Sequence, residues 1–234
     1  MTALQLEVLG AIAVSLGALL LLERLFPFKR TPARRGRVRL TNVGAGLLGG
    51  CLSGAWVAVL RSGADRGDGG YVPIAAGPLE VLWGVLVLDL TLFLWHVALH
   101  EIPPLWTLHR FHHEERFLDA TTSLRIHPVE SLLGHSLSGL AGHLAGVAPE
   151  VALLHGGLVG VWSALQHANV AWPAGLERVA GLLLVTPSRH ALHHDGRESR
   201  PGNYATLLSL WDILFGTRTN HRPRENAVPG LGTP

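Results

Sequence analysis

Charge is scarce in this chain of 234 residues: Asp, Glu, Lys and Arg together make up 15% of it, against roughly 25% in ordinary soluble domains. With 48% hydrophobic residues, that shortfall points away from a water-soluble globule. Cysteine occurs once, as Cys51, which excludes an intramolecular disulfide and any CxxC metal or redox pair. The glycine-rich stretch 44–50 follows no strand pattern and has neither a GxGxxG nor a Walker spacing, so nucleotide binding is unsupported. An HExxH zinc helix is also lacking, because His100 and Glu101 are followed by Ile102, Pro103 and Pro104. Lysine occurs once, as Lys29, a compositional bias without mechanistic content. Seven of the nineteen Lys and Arg residues lie between Arg24 and Arg39. That cluster sits between two apolar runs, which favours a membrane-flanking role over a nucleic-acid surface.

Histidine is what the chain has in excess. Five of the fourteen fall within eighteen residues, His96, His100, His109, His112 and His113, and three more return as His190, His193 and His194. On a helix, residues three and four apart share a face, so each box can aim two or three ring nitrogens at one point. A zinc site takes four ligands, or three and a water. Eight imidazoles exceed that and suit two metals held close together. His127 and His167 are expected as ninth and tenth ligands. Imidazole alone does not name the metal, since Fe, Zn, Cu and Ni all accept it. A ligating His commonly passes its other N–H to a carboxylate or carbonyl, for which Asp89, Asp119, Glu130, Asp195 and Asp212 are candidates. His135, His143 and His155 are expected to line the interior of an apolar hairpin or make helix–helix hydrogen bonds, and His221 to be solvated in a polar tail. Trp83, Trp95, Trp106, Trp162, Trp172 and Trp211 recur near expected span ends, as in an interfacial aromatic belt.

Residues 3–22 are apolar and long enough to cross a bilayer. The basic segment up to Arg39 then lies in the cytoplasm by the positive-inside rule, leaving the amino terminus outside. A second span, 42–60, is rich in small residues that permit close helix contact; the polar stretch 61–78 is the outer connection. A third, from Leu79 to about Trp95, returns the chain to His96 and His100, and Pro103 and Pro104 stop the helix. Apolar stretches 131–147 and 150–167 form a spanning or re-entrant hairpin, and 176–185 is too short to cross. All histidine boxes therefore share one membrane face. The chain divides into two amino-terminal spans (1–78), a histidine-box domain (79–219) and a loose tail (220–234). The fold class is all-α: an integral membrane helical bundle of about four spanning or re-entrant helices with a cytosolic histidine-rich cap. The scarcity of lysine, without a eukaryotic retention tail, points to a bacterial inner membrane.

Asp89 through His100 and Leu105 through His113 resemble the first two boxes of the fatty acid hydroxylase/sterol desaturase superfamily of membrane di-iron enzymes. Further similar segments are Asp119–Glu130, the motif Gln166-His167-Ala168-Asn169, Arg189–His194, Asn203-Tyr204 and Leu210–Thr217. The likeness covers roughly 79–219. Val97 and Ala205 stand where many members carry Arg and Gly, and neither change removes a ligand. The resemblance implies O₂-dependent hydroxylation or desaturation of a lipid C–H bond by two irons, whose places zinc can take in purified protein. It adds Asn169 and Asn203 to the residues around the ligands, and implies an external electron donor, since the sequence holds no fused cytochrome b5 segment. A membrane zinc hydrolase and a non-catalytic haem or metal-binding protein are the alternatives.

Overall fold

The computed structural model describes residues 2–32, 35–64, 77–195 and 202–219. Most of the expected outer connection 61–78, and the tail 220–234 with His221, lie outside the described residues. Among the described residues the architecture is all-helical, with two isolated β-bridges, Pro27 with Val170 and Leu184 with Leu208.

Three helices are long and apolar enough to cross a membrane: α1 (Ala3–Leu25), α2 (Gly36–Ala64, apolar over Gly36–Val59) and α3 (Pro78–Glu101). Thr2 starts α1 through a reciprocal cap with Gln5, which satisfies donors a helix start leaves unpaired. Large apolar side chains point outward on all three, with Val14, Leu40 and Leu79 each more than 70% exposed. Water would not tolerate such continuous apolar faces; lipid does. α2 begins six residues earlier than its hydropathy suggests, so Arg37 and Arg39 lie inside it.

α3 runs to Glu101 and carries both His96 and His100. Pro103 ends it and opens α4 (Pro103–His113), with Ile102 serving as C-cap of one and N-cap of the other. Proline's missing N–H is harmless in a first turn and unacceptable in a helix interior. A 3₁₀ turn (Ala120–Leu124) leads to the hairpin α5 (Pro128–Leu144) and α6 (Pro149–His167), followed by α7 (Ala174–Ala180), α8 (Pro187–His193) and α9 (Leu210–Leu214).

α2 packs on α5, α1 on α6, and α3 on both hairpin helices. Glycine permits two of these approaches: a Cβ at Gly49 would meet Ser131 at 2.9 Å, and one at Gly84 would meet Val151 at 2.6 Å. Trp83, near the start of α3, donates its Nε1–H to the Ala145 carbonyl in the α5–α6 turn. The end of α1, the starts of α2 and α5, and the ends of α3 and α6 therefore gather at the opposite end of the bundle.

A buried ion-pair network ties that end together and engages two residues of the membrane-flanking basic cluster, Arg35 and Arg39. Arg35 bonds Glu115 at 2.7 Å and Asp119 at 2.8 Å, and Arg39 reaches Asp119 at 3.0 Å and Glu23 at 3.5 Å. Glu23, at the end of α1, also accepts the backbone N–H groups of Ala120 and Asn169. Burial pushes the Asp119 carboxyl up, but bonds from Thr121, Arg35 and Arg39 outweigh it and hold the group below the usual carboxylate value.

Candidate metal centre

Nine imidazoles converge at this end, in two groups. His96, His100, His109, His113 and His193 form one; His112, His167, His190 and His194 form the other. Within each, the ligand atoms all lie within 4.8 Å of one another. The partition follows helix geometry. Pairs spaced i, i+4 (His96 and His100, His109 and His113, His190 and His194) each serve one group, because such residues lie one above the other. His112 and His193, turned about 100° from their chain neighbours His113 and His194, cross to the opposite group.

Hydrogen bonds fix which ring nitrogen faces inward. His96 Nδ1–H donates to the Tyr204 carbonyl at 2.7 Å, His193 Nδ1–H to the Gly202 carbonyl at 2.8 Å, and His167 Nδ1–H to the Ser163 carbonyl at 2.7 Å. A carbonyl only accepts, so each Nε2 keeps its lone pair for a metal. His109 Nδ1–H donates likewise to Glu130 Oε1 at 2.9 Å. The inward atoms crowd: Nε2–Nε2 distances are 3.1 Å for His96 and His109, 3.2 Å for His167 and His112, 2.9 Å for His190 and His167, and 3.2 Å for His194 and His190. With metal–imidazole bonds of about 2.1 Å, ligand atoms at right angles lie about 3.0 Å apart. The spacing is that of donors around a cation.

His109, His112, His113, His190, His193 and His194 are all held well below the ordinary histidine pKa, first by burial and then by neighbouring imidazoles. Neutral rings are the ligating form. An unfolded chain takes up protons below about pH 6.5 that these rings refuse, so folded stability holds above that pH and declines beneath it. Bound metal meets the same proton competition. Protein dialysed against a weak chelator is expected to keep its metal at about pH 7.5 and lose most of it at about pH 5; equal retention at both would refute this ligand set.

His127 does not join either group. It is the N-cap of α5, its Nδ1 accepting the Val129 N–H at 3.2 Å, ahead of Pro128 in the first turn. The expectation of a tenth ligand here is set against a ring that lies apart from the nine clustered ones. His135, His143 and His155 also lie outside both groups. His155 alone is buried; His135 and His143 are exposed rather than lining the hairpin interior.

The carboxylates and amides divide by what they hold. Glu130 touches a histidine of the cluster. Asp89 accepts the Trp211 indole N–H at 2.8 Å and the Leu208 N–H at 3.1 Å, fastening α3 to α9 and the chain just before it; Asp119 belongs to the Arg35 network. Asn169 exchanges hydrogen bonds with the Lys29 backbone. Asp195 closes α8 through its N–H on the Leu192 carbonyl. Asp212 and Asn203 shape the turn that carries Gly202 and Tyr204. The carbonyls of Ser163, Gly202 and Tyr204 went unforeseen, since every residue has one and only the fold aims it. The tryptophans, too, are partly internal: Trp106 packs on the His100 ring at 5.1 Å, and Trp162 Nε1–H donates to the Val185 carbonyl.

A cavity of about 370 Å³ adjoins the four-histidine group, lined by His167, Gln166, Phe117, Leu118, Trp172 and Ala191 among others. Its walls are largely apolar.

Fold and site together define an all-helical membrane bundle with a multi-histidine centre at one end. The chain belongs to the fatty acid hydroxylase family, whose sequence model matches residues 81–217. It is 28% identical over 154 residues to an ornithine lipid hydroxylase of Rhizobium tropici, covering 65% of this chain and 45% of that protein. It is 28% identical over 151 residues to an alkylglycerol monooxygenase of Caenorhabditis elegans, covering 62% and 28%. A cholesterol 25-hydroxylase-like protein of Danio rerio is 30% identical over 155 residues, covering 63% and 60%. The chain thus spans less than two thirds of the length of each relative. No solved structure matches it.

Proposed function

We propose that this protein is a membrane-bound dinuclear-iron oxidoreductase that uses O₂ to hydroxylate or desaturate a lipid C–H bond. The observation that carries the reading is the convergence of nine imidazoles, seven buried and two half-buried, into groups of five and four. The names of the relatives, all lipid hydroxylases or monooxygenases, support the substrate class. Bound irons supply the redox chemistry that activates O₂.

The chain's own residues orient and protect that centre. Carbonyls and Glu130 lock ring tautomers so that Nε2 atoms point inward, and burial excludes water. The apolar cavity against His167 is of a size that takes a small ligand or part of a lipid, and all of its lining residues but Phe28 and Lys29 belong to the family-matched segment. In hydroxylation, O₂ takes four electrons, two from the C–H bond and two from a separate donor protein, yielding the alcohol and water. Arg24, Lys29, Arg35, Arg37 and Arg39 stand at the histidine end of the bundle, and the positive-inside rule supports a cytoplasmic side for that end and for the donor. A bacterial inner membrane suits this arrangement.

Turnover of a membrane lipid extract by the iron-loaded protein under ¹⁸O₂, with a reductant, tests the reading. Incorporation of ¹⁸O into an alcohol, or O₂-dependent appearance of a double bond, is the expected result. Conversion that proceeds without O₂ would exclude it.

A further inference from the structure

We propose that the two metal positions are unequal, and that the turn Gly202–Ala205, held by Asp212, makes the five-histidine position the tighter. The inference rests on reading the nine imidazoles as a two-metal centre and adds an order to it.

The asymmetry lies in what grips the outer ring nitrogens. In the five-histidine group three rings are held from outside their own helices: His96 by Tyr204, His193 by Gly202 and His109 by Glu130. In the four-histidine group one ring is held, and by its own helix, through His167 and Ser163. Among the described residues, the Nδ1 atoms of His190 and His194 are buried without a hydrogen-bond partner, and His112 meets the Arg125 backbone. A ring whose tautomer and rotation are already fixed gives up less freedom on binding metal, and donation from Nδ1 makes Nε2 more basic.

Two of the three grips come from one turn. Gly202 and Asn203 both take left-handed backbone, with φ of 64° and 49°, a conformation glycine and asparagine tolerate best. A Cβ on Gly202 would also lie 2.6 Å from the Thr217 carbonyl. Asn203 pairs with Thr219 twice, accepting its N–H at 3.0 Å and donating to its hydroxyl at 2.8 Å. Asp212 secures the rest: its carboxylate accepts the N–H of Tyr204 at 2.8 Å, the N–H of Ala205 at 3.1 Å and the Thr217 hydroxyl at 2.6 Å. Among the described residues, Asp212 has no hydrogen bond to an imidazole. It is a positioning residue, acting on His96 and His193 through the carbonyls the turn presents.

The test uses the full chain, stripped with a chelator and titrated with Zn²⁺ alone against a chromophoric competitor. Wild type is expected to take two zinc ions in two steps at least ~10-fold apart in affinity, and Asp212→Ala to weaken the tighter step by ~10–100-fold without moving the other. His193→Ala removes the tighter step, and His190→Ala removes the weaker. Glu130→Ala, which frees His109 without touching the turn, weakens the same tighter step and decides the matter if Asp212→Ala does not fold. Two equal steps in wild type, or variants that lower both steps together, would overturn the proposal. Fewer than two zinc ions in wild type would overturn instead the two-metal reading beneath it.

Discussion

His167→Ala is expected to empty one metal position and abolish lipid oxidation, while His127→Ala leaves both metals and most activity in place. His167 contributes one of only four donors to its group, and its Nε2 lies 3.2 Å from that of His112 and 2.9 Å from that of His190. Removing it leaves three buried rings around a gap, a loss exceeding the roughly 10–100-fold that follows from losing an outer partner. His127 caps α5 by one hydrogen bond, and losing such a cap costs about 1 kcal/mol. Metal content and turnover in the two purified variants separate these roles. Equal loss of metal in both would mean that His127 ligates after all.

Asp119→Ala is expected to destabilise the fold by about 3–5 kcal/mol, the range for removing one member of a buried ion pair. Asp119 is wholly buried, and the Arg35 side chain beside it is only 9% exposed. Without the carboxylate, Arg35 keeps Glu115, whereas Arg39 is left with its longer contact to Glu23. The exposed pair Arg110–Glu114 is the contrast: in such a setting Glu114→Gln shifts stability by no more than about 1 kcal/mol. Unfolding of the detergent-solubilised variants measures both. A shift under 1 kcal/mol for Asp119→Ala would show that the network carries no net stability.

The histidine boxes were legible because helical spacing writes a shared face directly into sequence, and i, i+4 pairs such as His96 and His100 need no tertiary information to be recognised. The division into five and four was not, since it depends on which way α4 and α8 are rolled once packed. His127 lies among the clustered histidines in sequence, yet its place before Pro128 marks a helix cap equally well, and the fold realises the cap. The spans were visible in hydropathy, but α2 extends beyond its apolar stretch because Arg39 finds buried carboxylates on chain distant in sequence. That pairing of Arg35 and Arg39 with Glu23, Glu115 and Asp119 could not be read from charge distribution, which records where ions are and not what they meet. Backbone carbonyls were invisible for the same reason.

Counting metal in the 234-residue chain, purified from iron-supplied cells, bears most directly on the paired-cation centre. Two metal ions per chain, falling to one in His167→Ala and remaining two in His127→Ala, is the expected result. One ion or none in wild type would contradict it.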